Sequence, residues 1–148
     1  MCNYIKMGIK GTYFPLPTAY DTIESTYNSK INEAYYIIDN IKVNNIYQED
    51  ISDDMSGNEY TNLLIQLTVY NNHDERLNTT FETRNELEII DFHLIIDNKT
   101  TPLNVLWEYC YNNVTPILRT FLEQRLLINY SHAVLNDEYK NGINLEKL

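Results

Sequence analysis

Between residues 60 and 70 the side chains alternate. Leu63, Ile65, Leu67 and Val69 fall on one side, and Leu64, Gln66, Thr68 and Tyr70 on the other. A period of two places alternate residues on opposite faces of a strand, so this is the clearest strand of the chain. Residues 31–51 are rich in β-branched and aromatic types, with Tyr35, Tyr36, Ile37, Ile38, Ile41, Val43, Ile46 and Tyr47. They predict a long strand, with Asp39-Asn40 as the position of a bulge or bend. Residues 79–96 resume strand character through Phe81, Thr83, Leu87, Ile89, Phe92, Leu94, Ile95 and Ile96. Polar stretches at 52–58, which include Gly57, and at 71–78 supply the turns. Residues 1–30 are weakly patterned and punctuated by Gly8, Gly11, Pro15 and Pro17. They predict an extended arm with an edge strand over 11–14 and a helical turn within 21–27.

From residue 102 the period changes. Leu103, Leu106, Cys110, Val114, Ile117, Leu118, Phe121, Leu122 and Leu126 follow one another in steps that mostly keep to one side of a helix, while Glu108, Asn112, Asn113, Glu123 and Gln124 lie opposite. A helix over 102–127 results, with Thr101 as cap and Pro102 in its first turn. Pro116 lies inside it and predicts a kink or restart near 112–115. A second, shorter helix is expected within 131–140. Strands followed by helices give an α+β fold, an antiparallel β-sheet packed against a long C-terminal helix and a shorter second one.

At 148 residues, 43% of them hydrophobic and 13 of them tyrosine, the chain is one domain with a real core. No apolar run reaches membrane-spanning length, and residues 1–10 hold no apolar signal core, so a cytoplasmic, unsecreted protein without membrane insertion is expected. The net charge of -10 argues against nucleic acid as a partner and suits a basic or zinc-containing protein. Cys2 and Cys110, the two cysteines, fit reduced thiols. The Asn-x-Ser/Thr sequons at Asn78, Asn98, Asn113 and Asn129 read as chance occurrences in an asparagine-rich chain.

Catalytic chemistry finds little footing. His73, His93 and His132 lie far apart without metal-ligand spacing, there is no glycine-rich phosphate loop or nucleophile elbow, and no carboxylate pair is marked as acid and base. Cys110 reads as a small buried apolar residue rather than half of a thiol dyad. A non-enzyme with neither metal nor cofactor is expected; a small hydrolase or ligand-binding domain is the remote alternative.

Three segments, in order, resemble the SecB protein-export chaperones. The first is Ile46-Tyr47-Gln48-Glu49-Asp50-Ile51-Ser52-Asp53-Asp54, similar to the family's first-strand pattern. The second is Leu64-Ile65-Gln66-Leu67-Thr68-Val69, similar to its second strand. The third is Tyr109-Cys110-Tyr111-Asn112 with Pro116 and Arg119, similar to the start of its long helix. The resemblance covers roughly residues 37–127 and divides the chain into an N-terminal extension, 1–32, and a SecB-like domain, 33–148. The Gly-x-Phe-Pro stretch that follows the family's long helix is replaced by Leu126-Leu127-Ile128-Asn129, and the Gly-Gly between its third and fourth strands by Asn85-Glu86-Leu87. This is a divergent relative.

The resemblance implies an ATP-independent holdase for unfolded or preprotein clients, assembled as a homodimer or homotetramer with the long helix at or near the interface. It implies an acidic face, Asp50, Asp54 and Glu82, that meets the basic, zinc-bearing tail of a SecA-like translocase motor. The family's neighbouring leucine falls at Thr80. Tyr47, Trp107 and Tyr130 are the candidate lining of a client groove. The alternative is a SecB-fold adaptor or inhibitor with one dedicated partner, either toxin–antitoxin-associated or phage-encoded.

Overall fold

A computed structural model of the chain describes residues 8–49, 58–72, 86–97 and 106–148. Its sheet has five strands: β1 (Gly8–Tyr13), β2 (Ile31–Glu49), β3 (Asn58–Tyr70), β4 (Glu86–Asp97) and β5 (Leu145–Lys147). They lie side by side as β4-β3-β2-β1-β5, and every neighbouring pair is antiparallel. Helix α1 (Ile23–Asn28) follows β1, the long α2 (Leu106–Leu126) follows β4, and the short α3 (Asp137–Asn141) precedes β5. The α+β class and the long helix agree with the sequence pattern. No helix among the described residues is long and apolar enough to cross a membrane.

The alternation in β3 has the expected outcome. Leu63, Ile65, Leu67 and Val69 are all fully buried beneath α2. In β2 the bulge falls where Asp39-Asn40 breaks the pattern, since the pairing with β3 shifts register between Ile38 and Asn40. Ahead of it Ala34, Tyr36 and Ile38 face the core; beyond it Ile41 does, opposite Ile65. One extra residue exchanges odd for even positions, and so keeps apolar side chains inward on both sides of the break. The Thr68 hydroxyl donates to Asp39 across the strands.

Residues 8–13 depart from expectation. The edge strand sought over 11–14 is an interior strand over Gly8–Tyr13, because β5, which has no periodic signal in its three residues, pairs with its other side. The approach is close at Gly11, where a Cβ would collide with the Asn144 carbonyl. Ile9, Tyr13 and Phe14 are buried, so these residues are part of the same sheet and core as the rest. Thr22 and Ser25 form a reciprocal cap at the start of α1, each side chain accepting from the other's backbone N–H. Tyr27 of α1 then packs edge-on against Tyr139 of α3, with ring centroids 4.9 Å apart.

Helix α2 buries Cys110, Val114, Leu118, Leu122 and Leu126, steps of four that slant gently around the helix. Burial pushes the Cys110 thiol up to about 11, so it is an inert protonated thiol at neutral pH. The start of the predicted helix, including Thr101, Pro102 and Leu103, lies outside the described residues. At Pro116 the helix continues without the expected restart. Proline has no N–H to offer the Asn112 carbonyl, and its ring crowds that turn. Pro116 is exposed, so Pro116→Ala is expected to stabilise the protein by about 1–2 kcal/mol, the restored hydrogen bond outweighing the looser unfolded chain. A raised urea midpoint at unchanged slope would establish this; a lowered one would mean that the bend at Pro116 is needed for packing.

Candidate functional site

The most elaborate side-chain arrangement among the described residues joins α2, β4 and β1. Arg125 is only 7% exposed. Its guanidinium donates to both carboxylate oxygens of Glu88, at 2.5 and 2.8 Å, and to the Phe14 carbonyl at 3.0 Å. The Tyr13 hydroxyl donates to the same Glu88 oxygen at 2.5 Å. The guanidinium carbon lies 4.7 Å from the centre of the Phe121 ring, a cation–π contact. Burial by itself would raise the Glu88 carboxyl; the bonds from Arg125 and Tyr13 outweigh it and hold the group below its usual range. Burial, then the hydrogen bond to Glu88 and its charge, drives the Tyr13 hydroxyl well above its usual value. The arrangement is therefore a closed ionic clamp. Each charge is answered, and no group is poised near neutrality for acid–base work.

The clamp sets the position of a loop. By holding the Phe14 carbonyl, Arg125 fixes residues 14–22 beside β4. Between the loop and the strand opens a cleft of about 340 Å3, lined by Tyr13, Pro15, Leu16, Ile31, Leu87 and Glu88. At the far end of the loop the Asn129 amide donates to the Thr18 and Asp21 carbonyls, at 2.8 and 3.0 Å. That ties the turn after α2 to the same loop. These two joined segments carry large apolar side chains in water: Leu16 at 65% exposure, Tyr20 at 95% and Val134 at 86%, with Ile128 and Tyr130 also exposed. Leu87 and Ile89 continue the exposed apolar surface along β4. Single exposed leucines are ordinary, but so many on two adjoining segments of a strongly acidic chain mark an interaction surface.

The groups singled out in the sequence are dispersed. Asp50, Asp54 and Glu82 lie outside the described residues, as do Cys2, His73, Asn78, Thr80 and Asn98. Tyr47 is in β2, paired with Tyr60. Trp107 lies in the first turn of α2 and Tyr130 just beyond its last, where it is exposed. At 1.5 Å per residue these two stand about 30 Å apart, so together they could only mark the ends of a groove that runs the length of the helix. Arg119 has a structural place: it donates to the Lys140 and Ile143 carbonyls and anchors the segment that leads into β5. His93 and His132 are exposed, and no group of three or more metal-ligating side chains occurs among the described residues. Asn113 donates to the Tyr109 carbonyl, so this sequon amide, like that of Asn129, already serves the fold.

No family model, curated protein or solved structure matches this chain.

Proposed function

We propose that the chain is an ATP-independent, SecB-like holdase that shields apolar segments of unfolded polypeptides. The observation that carries this reading is the exposed apolar surface formed by residues 14–22, the turn after α2 and the outer side of β4, beside the cleft at Leu16 and Leu87. A holdase must accept many sequences, which favours apolar and aromatic contact over fixed hydrogen bonds. Tyr20 and Tyr130 provide rigid contact area with little rotamer entropy to lose. The closed clamp of Arg125, Glu88 and Tyr13 offers no reactive group, in keeping with a role without catalysis. Clients on this reading are extended, largely apolar stretches. Each contributes about 25 cal/mol per Å2 buried, much of it offset by ordering of the client, so affinity grows with client length. Delivery to a SecA-like motor, or service to a toxin–antitoxin pair, rests on the sequence resemblance.

The test is aggregation of several unrelated denatured clients, followed by light scattering without ATP. The native chain is expected to delay aggregation at substoichiometric amounts. Combined replacement of Leu16, Tyr20 and Val134 by serine, all well exposed, should weaken the effect several-fold and leave the thermal midpoint almost unchanged. Tight binding of one folded protein, with no effect on unfolded clients, would overturn the holdase in favour of an adaptor with a dedicated partner.

A further inference from the structure

Strand β4 is an edge of the sheet among the described residues. Edge strands of soluble proteins are usually blunted by lysine, proline, a bulge or extreme shortness. β4 has twelve residues with neither lysine nor proline, and its pairing with β3 runs without a shift from Glu88 to Asp97. Its outer face reads Ile89, Asp91, His93, Ile95, all exposed, with the two isoleucines at 51% and 59%. That order is self-complementary. If a second β4 lies antiparallel to the first with the two-fold axis at Phe92, Ile89 faces the second copy's Ile95 and Asp91 faces its His93, and each contact occurs twice. On the inner face Phe92 meets Phe92 at the axis. Moving the axis by one residue in either direction sets Asp91 against Asp91, or His93 against His93, and turns the other faces into mismatches. Like charges directly opposite across strands are unfavourable, so a single register is selected.

We propose that β4 is a homodimerisation edge, in which two copies of this chain pair antiparallel about Phe92 and join their sheets into one of ten strands. The occupant of the edge is a second copy because the apolar and charged positions answer one another within a single sequence, the isologous arrangement that a two-fold interface requires. The inference stands on β4 alone and is independent of the holdase reading.

Charge exchange tests it, with sedimentation velocity of the full chain near neutral pH as the readout. The native chain is expected to sediment as a particle of twice its 17.5 kDa mass. His93→Asp sets carboxylate against carboxylate twice and should weaken the dimer about tenfold or more. Asp91→His removes both attractions and should weaken it less. Mixing these two variants places the carboxylates of one chain opposite the imidazoles of the other, so a heterodimer should form, and the double exchange Asp91→His/His93→Asp should dimerise as the native chain does. Both positions are exposed, and recovery on mixing shows directly that the single variants are folded. The proposal is overturned by a native chain that stays at 17.5 kDa at high micromolar concentration, by a His93→Asp chain that dimerises as well as the native one, or by failure of the mixture to associate.

Discussion

Arg125→Ala is expected to destabilise the protein by about 3–5 kcal/mol, because it leaves the Glu88 carboxylate partly buried against Tyr13 without its cation. The Phe14 carbonyl and the Phe121 ring lose the same partner. Against a total stability of about 5–15 kcal/mol, such a loss is a large fraction of the whole. Urea unfolding should show it as a lowered midpoint. Replacing both charges, as Arg125→Met with Glu88→Leu, should restore much of the loss, since a well-packed apolar pair needs no desolvation of ions. A loss below about 1 kcal/mol in the single variant would mean that water already screens the pair. The pH dependence has a defined sign. The Glu88 carboxyl is held below its ordinary 4.5 in the fold, so its contribution is complete above pH 4.5 and is lost as pH falls through the lower native value. The Tyr13 hydroxyl is raised above its ordinary 10.0, so its contribution is complete below pH 10 and is lost as pH rises further. Glu88→Gln should flatten the acid limb.

Leu118→Ala is the second large effect. Leu118 is fully buried midway along α2, in the core that also holds Leu63, Ile65 and Leu67 of β3. Removing three carbons there loses their transfer free energy and leaves a cavity, at a cost of about 2–5 kcal/mol. Leu118→Met conserves volume and should cost less than about 1.5 kcal/mol. Thermal unfolding separates the two. Equal losses from both would show that the site tolerates no change of shape, rather than answering to the volume removed.

The elements with a sustained period could be read in advance, because burial of one face is what imposes a period. β3, the long β2 with its break at Asp39, and the stripe of α2 are of this kind. β5 could not, because three residues have no period and its pairing is supplied by β1. The status of residues 8–13 followed from that omission: without β5 they look like an edge. Among site residues, Arg125 and Glu88 were missed, yet each left a signal. Arg125 falls three positions after Leu122 and seven after Leu118, on the buried side of its helix. Glu88 shares the inward alternation of Ile90 and Phe92 in β4. Two opposite charges, each on the apolar face of its own element, predict a buried pair between them. The exposed patch had no signal in pattern, since Leu16, Tyr20 and Val134 lie in segments without a period, where exposure is decided by the path of the loop.

The strand order also sets a sequence of events during synthesis. β1 is among the first segments to leave the ribosome and β5 the last of the strands, yet they are neighbours, with Gly11 paired to Leu145. A growing chain can assemble β2, β3 and β4 as a meander and close α2 over them while one side of β1 stays unpaired. Only when residues 140–147 emerge can Arg119 seize the Lys140 and Ile143 carbonyls and lay β5 alongside β1. Contacts so distant in sequence form slowly. Until then the nascent protein exposes a raw β1 edge, so its own maturation passes through a sticky intermediate whose lifetime is set by the rate of translation of its final stretch.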